Sequence, residues 1–176
     1  MTPEQLEAKL RGFAKKLTGV ICRKVLQELV DYGVEEAINN IRNVDTGETI
    51  QSIKGEVKGN TAIIEAGGHA LWLEFGTGIA YNSGGYPMPL PEGVSEIGTY
   101  GKGKGSQQGG WVFPTMDERL AILDKEGNPM KFEDGMYMGH TVGIQANMFM
   151  YKALMAIKEK APEYGLKIIG EELKAL

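Results

Sequence analysis

The chain is poor in the residues on which disulfide frameworks and metal centres depend. Its 176 residues include one cysteine, Cys22, and two histidines, His69 and His140. A single cysteine excludes an intramolecular disulfide framework and suits a reducing compartment. Cys22 falls in a helical pattern, where we expect a small buried hydrophobe. The histidines show no recognisable ligand spacing, so no metal site is expected.

The chain also lacks a basic excess and long apolar runs. Nineteen Lys and Arg residues against 23 Asp and Glu residues give a formal net charge of −4 at pH 7. A general nucleic-acid binder normally presents a basic face, so no specific nucleic-acid binding is expected. The longest apolar runs fall far short of the ~20 residues that span a membrane, and the polar N-terminus carries no secretory signal. We therefore expect a soluble intracellular protein with no membrane partner.

What the chain does have is the composition of a globular protein, with 42% hydrophobic and 24% charged residues. Its length suffices for one core, and we predict that residues 1–176 form a single domain. Glycine is distributed unevenly, since eleven of the 25 glycines fall between Gly76 and Gly110. Residues 79–110 are therefore predicted to be a flexible glycine-rich loop inserted in this domain.

A long amphipathic helix is predicted at the N-terminus. Thr2 and Gln5 match a capping box, with proline at the first helical position. Apolar residues then recur at steps of three and four towards Ile41. We expect this stripe to pack in the core, with burial against a neighbouring subunit as the alternative. A kink or break is expected at Gly19 and Gly33.

Turns and strands are predicted after this helix. Asp45, Thr46 and Gly47 suit a turn, because short side-chain oxygens bond nearby backbone and glycine accepts a positive φ. Residues 53–66 predict a β-hairpin that turns at Gly59-Asn60. Residues 70–75 fit either a helical turn or a strand.

The second half of the chain predicts further strands and then helices. A β-strand is expected to begin at Trp111. Residues 120–123 and 130–138 are expected to be the two arms of a hairpin that turns at residues 124–129. A helix is expected to open at Gly143, to be interrupted at Pro162 and to be followed by a final helix, with the methionines at 148–155 in the core. The order implies an α+β fold, with the long N-terminal helix and the C-terminal helix packed on one face of a mostly antiparallel β-sheet.

Patterns for chemistry are weak. The run from Gly98 to Lys104 matches the first part of a phosphate loop, but Gly105 stands where Ser or Thr must ligate magnesium. We interpret it as a surface loop whose Lys102 and Lys104 are available to an acidic partner. No serine lies in a G-x-S-x-G elbow, and no cofactor is expected.

One carboxylate has a suggestive position. Glu74 lies between Leu73 and Phe75, and a small hydrolase using Glu74 with His69 or His140 is an alternative function. We favour a plainer interpretation, in which Glu74 faces outward or bonds nearby backbone donors. Catalytic residues are therefore not assigned, and the protein is not expected to be an enzyme.

Three short segments resemble motifs of the tailed-bacteriophage tail-completion (head–tail joining) protein family. Residues 44–53, with Asp45-Thr46-Gly47, resemble its D-T-G-x-L-x-x-S-I segment. Residues 70–78 resemble its Y-A-x-x-v-E-F-G-T-G, and they contain Trp72, Glu74, Phe75, Gly76, Thr77 and Gly78. Residues 146–154, around Phe149, resemble its closing a-x-P-F-m-x-p-A-l, although Asn147-Met148 replaces the proline-containing approach. The three occur in the family's order behind a long helix.

The resemblance implies a small α+β minor tail component that is not an enzyme and forms a ring, for which six copies is our expectation. Its partners would be its own copies, a neck or head-completion protein and the tail-tube protein. It would lie at the head–tail junction of the virion, after a period in the host cytoplasm during assembly.

Under this interpretation the motif residues serve the scaffold and the loop makes the contacts. Gly47, Gly76 and Gly78 set backbone geometry, while the large aromatic residues pack. These aromatic residues are Trp72, Phe75, Trp111 and Phe149. The expected contact residues of the loop are Tyr81, Tyr86, Tyr100, Lys102 and Lys104. A host-directed binding module that acts through residues 79–110 is a further alternative.

Overall fold

The computed structural model describes residues 2–41, 47–67, 69–78, 86–91, 94 and 109–175. Its helices and strands are α1 (Pro3–Lys16), a π-helical segment (Leu17–Ile21), α2 (Cys22–Asn39), α3 (Glu48–Ser52), β1 (Lys54–Lys58), β2 (Thr61–Glu65), α4 (Ala70–Phe75), β3 (Trp111–Thr115), a 3-10 turn (Glu118–Leu120), β4 (Tyr137–Thr141) and α5 (Phe149–Lys174). The fold is α+β, with long helices near both ends and antiparallel strands between them, which confirms the predicted class.

The chain divides into two compact units. The first contains residues 1–70 and 148–176, and the second contains residues 71–147. The single domain over residues 1–176 stays a prediction. Most of the predicted loop lies outside the described residues, and so do Asp45, Thr46, Tyr81, Tyr100, Lys102 and Lys104.

The first unit begins with one long helical rod. The Thr2 side chain accepts the Gln5 backbone N–H, and the Gln5 side chain accepts the Thr2 N–H at 3.0 Å, so the predicted capping box is confirmed. The backbone stays helical from Pro3 to Asn39, about 55 Å at 1.5 Å per residue. Around Gly19, one of the two positions at which a kink or break was predicted, it widens to a π-helical segment and continues as a helix.

Gly33 does not break the helix. An added Cβ there would lie 2.4 Å from Ile157 Cδ1 and 2.5 Å from Ile64 Cδ1. The absence of a side chain therefore lets α5 and β2 approach α2 closely, and the glycine serves packing rather than bending.

Helix α5 packs antiparallel to α2. Lys24, at the start of α2, forms an ion pair with Glu172, near the end of α5. Further along the pair, the rings of Tyr32 and Tyr164 lie 5.9 Å apart. The predicted interruption at Pro162 is wrong, since α5 runs unbroken to Lys174. Contacts with α2 on both sides of the proline offset the backbone hydrogen bond that proline cannot make.

The hairpin β1–β2 packs on α2. Its strands pair from Lys54 with Glu65 to Lys58 with Thr61, and Gly59 takes a positive φ in the turn, as predicted. A Cβ on Gly55 would lie 2.2 Å from Val30 Cγ1. Hydrophobic burial between α2, α5 and this hairpin therefore forms the core of the first unit.

The second unit contains the hairpin β3–β4, which pairs from Trp111 with Thr141 to Thr115 with Tyr137. Within the described ranges the antiparallel strands form two separate two-stranded sheets. Residues 120–138 do not form two long arms, because only isolated bridges connect them to each other and to β4. Their predicted turn is confirmed, since the Asp124 carboxylate accepts the backbone N–H groups of Glu126 and Asn128.

Candidate functional site

The segment that the motif analysis singled out, residues 70–78, is a short helix followed by a tight corner. Residues 70–75 form α4, which decides between the two predicted conformations. On this helix Glu74 is 4% exposed and Phe75 is buried, whereas Trp72 is 36% exposed. The interpretation in which Glu74 faces outward is therefore wrong, because its side chain is buried. Gly76 and Gly78 both take positive φ values, +72° and +73°, which favour glycine.

Thr77 holds the corner against the chain that follows β4. Its backbone N–H donates to the Ile144 carbonyl at 2.8 Å, and the Ile144 N–H donates back to the Thr77 carbonyl at 2.9 Å. The Ile144 N–H also reaches the Thr77 hydroxyl at 2.9 Å. The motif threonine is thus bound through both its backbone and its side chain.

The glycines allow the two backbones to touch. A Cβ on Gly78 would lie 2.4 Å from the Val142 carbonyl oxygen, and a Cβ on Gly143 would lie 1.9 Å from the Thr77 carbonyl oxygen. Real Cβ atoms do not approach backbone oxygens so closely. Close backbone approach is therefore a physical reason for glycine at positions 78 and 143.

The C-terminal end of the glycine-rich segment, at Gly110, lies against the same stretch of backbone after β4. Gly110 has φ +79°, and a Cβ on it would lie 2.1 Å from the Thr141 carbonyl oxygen. Trp111 then starts β3 opposite Thr141. We call Gly76–Gly78, Gly110 and residues 141–144 the loop base, because the chain leaves it at Gly78 and returns to it at Gly110.

Tyr86 connects the glycine-rich segment to α4. Its hydroxyl donates a hydrogen bond to a Glu74 carboxylate oxygen, and its ring centre lies 4.7 Å from that of Phe75 in an edge-on arrangement. Glu74 thus has a hydrogen-bond donor in its buried position. Tyr86, which we expected to contact a partner, uses its hydroxyl within the second unit.

Each histidine contacts a residue other than Glu74. A ring nitrogen of His140 lies 2.8 Å from the Gly109 carbonyl oxygen. In the first unit His69 pairs with Glu48 at 3.8 Å. The hydrolase alternative therefore gains no Glu–His hydrogen bond from these contacts. Among the residues that the structure describes, no group of three or more His, Cys, Asp and Glu side chains could hold a metal ion.

The chain between β4 and α5 is where sequence reasoning missed most. Residues 143–148 are not helical, so the predicted helix start at Gly143 is wrong. The backbone N–H of Asn147 instead donates to the Leu73 carbonyl at 2.6 Å, and Asn147 is buried. Met148 takes a left-handed φ of +53° before Phe149, which is fully buried, opens α5.

Gly47, the described residue of the Asp45-Thr46-Gly47 turn, takes a φ of +74° at the N-cap of α3, and the predicted positive φ is confirmed. Cys22 is a free, half-buried thiol.

None of the helices within the described ranges is long and apolar enough to cross a membrane.

A groove of about 800 Å³ lies beside β3 in the second unit. It is lined by Val112, Pro114, Lys131, Phe132, Glu133, Asp134 and Met138. The lining side chains are exposed or half-buried, and they include both apolar and charged groups.

Comparison of the chain with protein-family models, curated proteins and solved structures found no match. The case for function therefore depends on the residues and on their geometry.

Proposed function

We propose that this protein is a non-enzymatic structural protein of a tailed bacteriophage that assembles into a ring at the head–tail junction. Two independent kinds of support exist. One is the resemblance of three ordered motifs to the tail-completion family. The other is the exposure of α1, which carries the proposal.

Helix α1 presents an apolar stripe to solvent. No residue of α1 is buried in the described structure, and Phe13 alone is half-buried. Leu6 and Leu10 are 47% and 50% exposed, and the stripe continues into the π-helical segment, where Leu17 and Val20 are 37% and 57% exposed. A surface of this kind is expected to be covered in the working form of the protein.

Burying this stripe against another protein surface stabilises the resulting assembly. Burying one large aliphatic side chain completely contributes about 1.5–3 kcal/mol, so covering the exposed halves of four contributes on the order of 3–6 kcal/mol. Association costs about 4–15 kcal/mol in lost translational and rotational freedom, so the stripe supplies part of the contact energy and other surfaces supply the rest. Closing a ring adds one contact without a further association step, which favours the ring over an open chain of copies.

The loop base supplies the second element of the proposal. It holds the two ends of the glycine-rich segment side by side, while the segment itself has too few apolar residues to form a core of its own. Segments of this composition suit ordering on a partner. We therefore assign residues 79–109 to contact with the neck or tail-tube protein, and no substrate or cofactor to the chain.

Light scattering on the eluate of a size-exclusion column tests the proposal, with the protein alone and mixed with tail-tube protein. We expect a discrete oligomer alone and a larger complex in the mixture. A variant that lacks residues 95–108, and so keeps the contacts of Tyr86 with Glu74 and Phe75, should still form the oligomer but lose the complex. A strict monomer that never joins tails or virions would refute the proposal.

A further inference from the structure

Helix α5 carries a second apolar face that points away from the core. Ile157 contacts the Gly33 position of α2. At about 100° per residue, Met155, Pro162, Leu166 and Leu173 lie about 140–180° around the helix from Ile157. Leu166 is 75% exposed, and the other three are exposed as well. The expectation that Met155 lies in the core is therefore wrong.

The outer face of α5 repeats the spacing of the stripe on α1. Leu6, Leu10, Phe13 and Leu17 follow each other at steps of four, three and four. A set on α5 has the same steps: Pro162, Leu166, Ile169 and Leu173. Apolar steps of three and four are the pattern with which two helices pack side by side.

A parallel pairing of these stripes also matches their flanking charges. With Leu10 set beside Leu166, coiled-coil geometry brings Glu7 of one helix towards Lys158 of the other. Lys9 and Lys16, on the opposite flank of α1, meet no lysine or arginine in this register. Glu7 already pairs with Arg11 of its own helix at 2.6 Å, so in this register Lys158 is a second cation beside the same carboxylate. The parallel pairing thus gains one opposite-charge contact between the helices.

The α1 helix of the same chain cannot make this contact. It continues the axis of α2, and α5 is antiparallel to α2 with its end beside Lys24. Within one chain α1 is therefore antiparallel to α5 and extends past the end of α5. Within the first unit, α1 of the same chain is therefore excluded as a parallel partner of the outer face.

We propose that α1 of one copy packs in parallel against the outer face of α5 in the next copy. Each copy gives one helix and receives another through different surfaces, so the contact is heterologous and repeats around a ring. This inference depends on the self-assembly in the proposed function and names the surfaces that carry it.

A disulfide test addresses the contact directly. In a Cys22→Ser background, the double variant Leu10→Cys/Leu166→Cys should give a ladder of covalent oligomers on mild oxidation. The matched control pairs Leu10→Cys with Met116→Cys, since Met116 is 83% exposed but belongs to neither stripe. Equal crosslinking in both variants would overturn the inference.

A substitution that leaves the fold intact gives a second test. Leu166→Asp should raise the concentration needed for assembly at least tenfold, because a charge would enter an apolar contact. At a concentration where both proteins are monomeric, its unfolding transition should match that of the unmodified protein, since Leu166 is exposed. Met116→Asp should assemble like the unmodified protein. Normal rings from Leu166→Asp would overturn this contact and leave the ring proposal standing. An unmodified protein that is monomeric at every concentration would overturn both.

Discussion

The loop base makes a sharp prediction about one glycine. Gly110 and Gly127 both lie in the second unit with similar positive φ values, +79° and +88°. Around Gly127 nothing lies within 4 Å of an added Cβ, whereas at Gly110 the Thr141 carbonyl oxygen would be 2.1 Å away. The substitutions Gly110→Ala and Gly127→Ala therefore impose the same backbone strain and differ in the contact.

The expected magnitudes follow from that difference. A left-handed backbone costs an L-residue about 1–2 kcal/mol, and both variants bear this cost. Forcing extra atoms into a packed site costs about 1–3 kcal/mol more, and at Gly110 the obstacle is backbone that cannot rotate away. We expect Gly110→Ala to lower the free energy of unfolding by about 2–5 kcal/mol and Gly127→Ala by about 1–2 kcal/mol.

Urea unfolding followed by tryptophan fluorescence measures this difference. The chain has two tryptophans, Trp72 and Trp111, and both lie in the second unit. The signal therefore reports on the unit that contains the loop base. Limited proteolysis should also cut residues 79–109 faster in Gly110→Ala. Equal destabilisation by the two substitutions would refute the view that Gly110 is needed for close backbone approach.

Three further predictions concern packing, pH and the buried carboxylate. In urea unfolding, Gly33→Ala should lower the free energy of unfolding, because an overpacking cost of about 1–3 kcal/mol outweighs a gain in helix propensity of about 1 kcal/mol. Gly165→Ala is the control and should raise the free energy of unfolding, because nothing lies within 4 Å of an added Cβ there. Higher stability in both variants would contradict the packing role of Gly33. The guanidinium and the backbone N–H of Arg119 donate hydrogen bonds to the Asp117 carboxylate and lower its pKa from 3.8 to about 2. These bonds therefore stabilise the folded state fully above pH 3.8, and the stabilisation is lost as the pH falls towards 2. Asp117→Asn should therefore weaken the pH dependence of the melting temperature between pH 3.8 and 2. A pH dependence equal to that of the unmodified protein would count against a stabilising role of the Asp117–Arg119 contact. Tyr86→Phe removes a donor to a buried carboxylate and should cost about 1–3 kcal/mol in urea unfolding, whereas unaltered stability would mean that the bond contributes nothing.

Elements whose signals are local were predictable from the sequence. The capping box at Thr2 and the turn at Gly59 need only neighbouring residues, because side-chain oxygens and a positive φ act within a few positions. Residues 70–75 were ambiguous, since a segment of six residues, five of them apolar, fits a helix or a strand equally well. Tertiary contacts also override local preference, as the unbroken course of α5 through Pro162 shows.

The loop base could not be predicted from sequence. Gly78, Gly110 and Gly143 lie more than 30 residues apart, and each has its own local reason to be a glycine in a turn. Only the fold shows that the three meet along one stretch of backbone. The same holds for Met155, because helical spacing identifies an apolar residue and does not tell which of two apolar faces lies in the core.

Electron microscopy of the purified protein tests the proposed self-assembly most directly. We expect closed rings of one size, with six copies as the expected number, and we expect Leu166→Asp to yield dispersed single copies at the same concentration. Dispersed monomers of the unmodified protein, at every concentration and with tail-tube protein present, would contradict a ring-forming structural role.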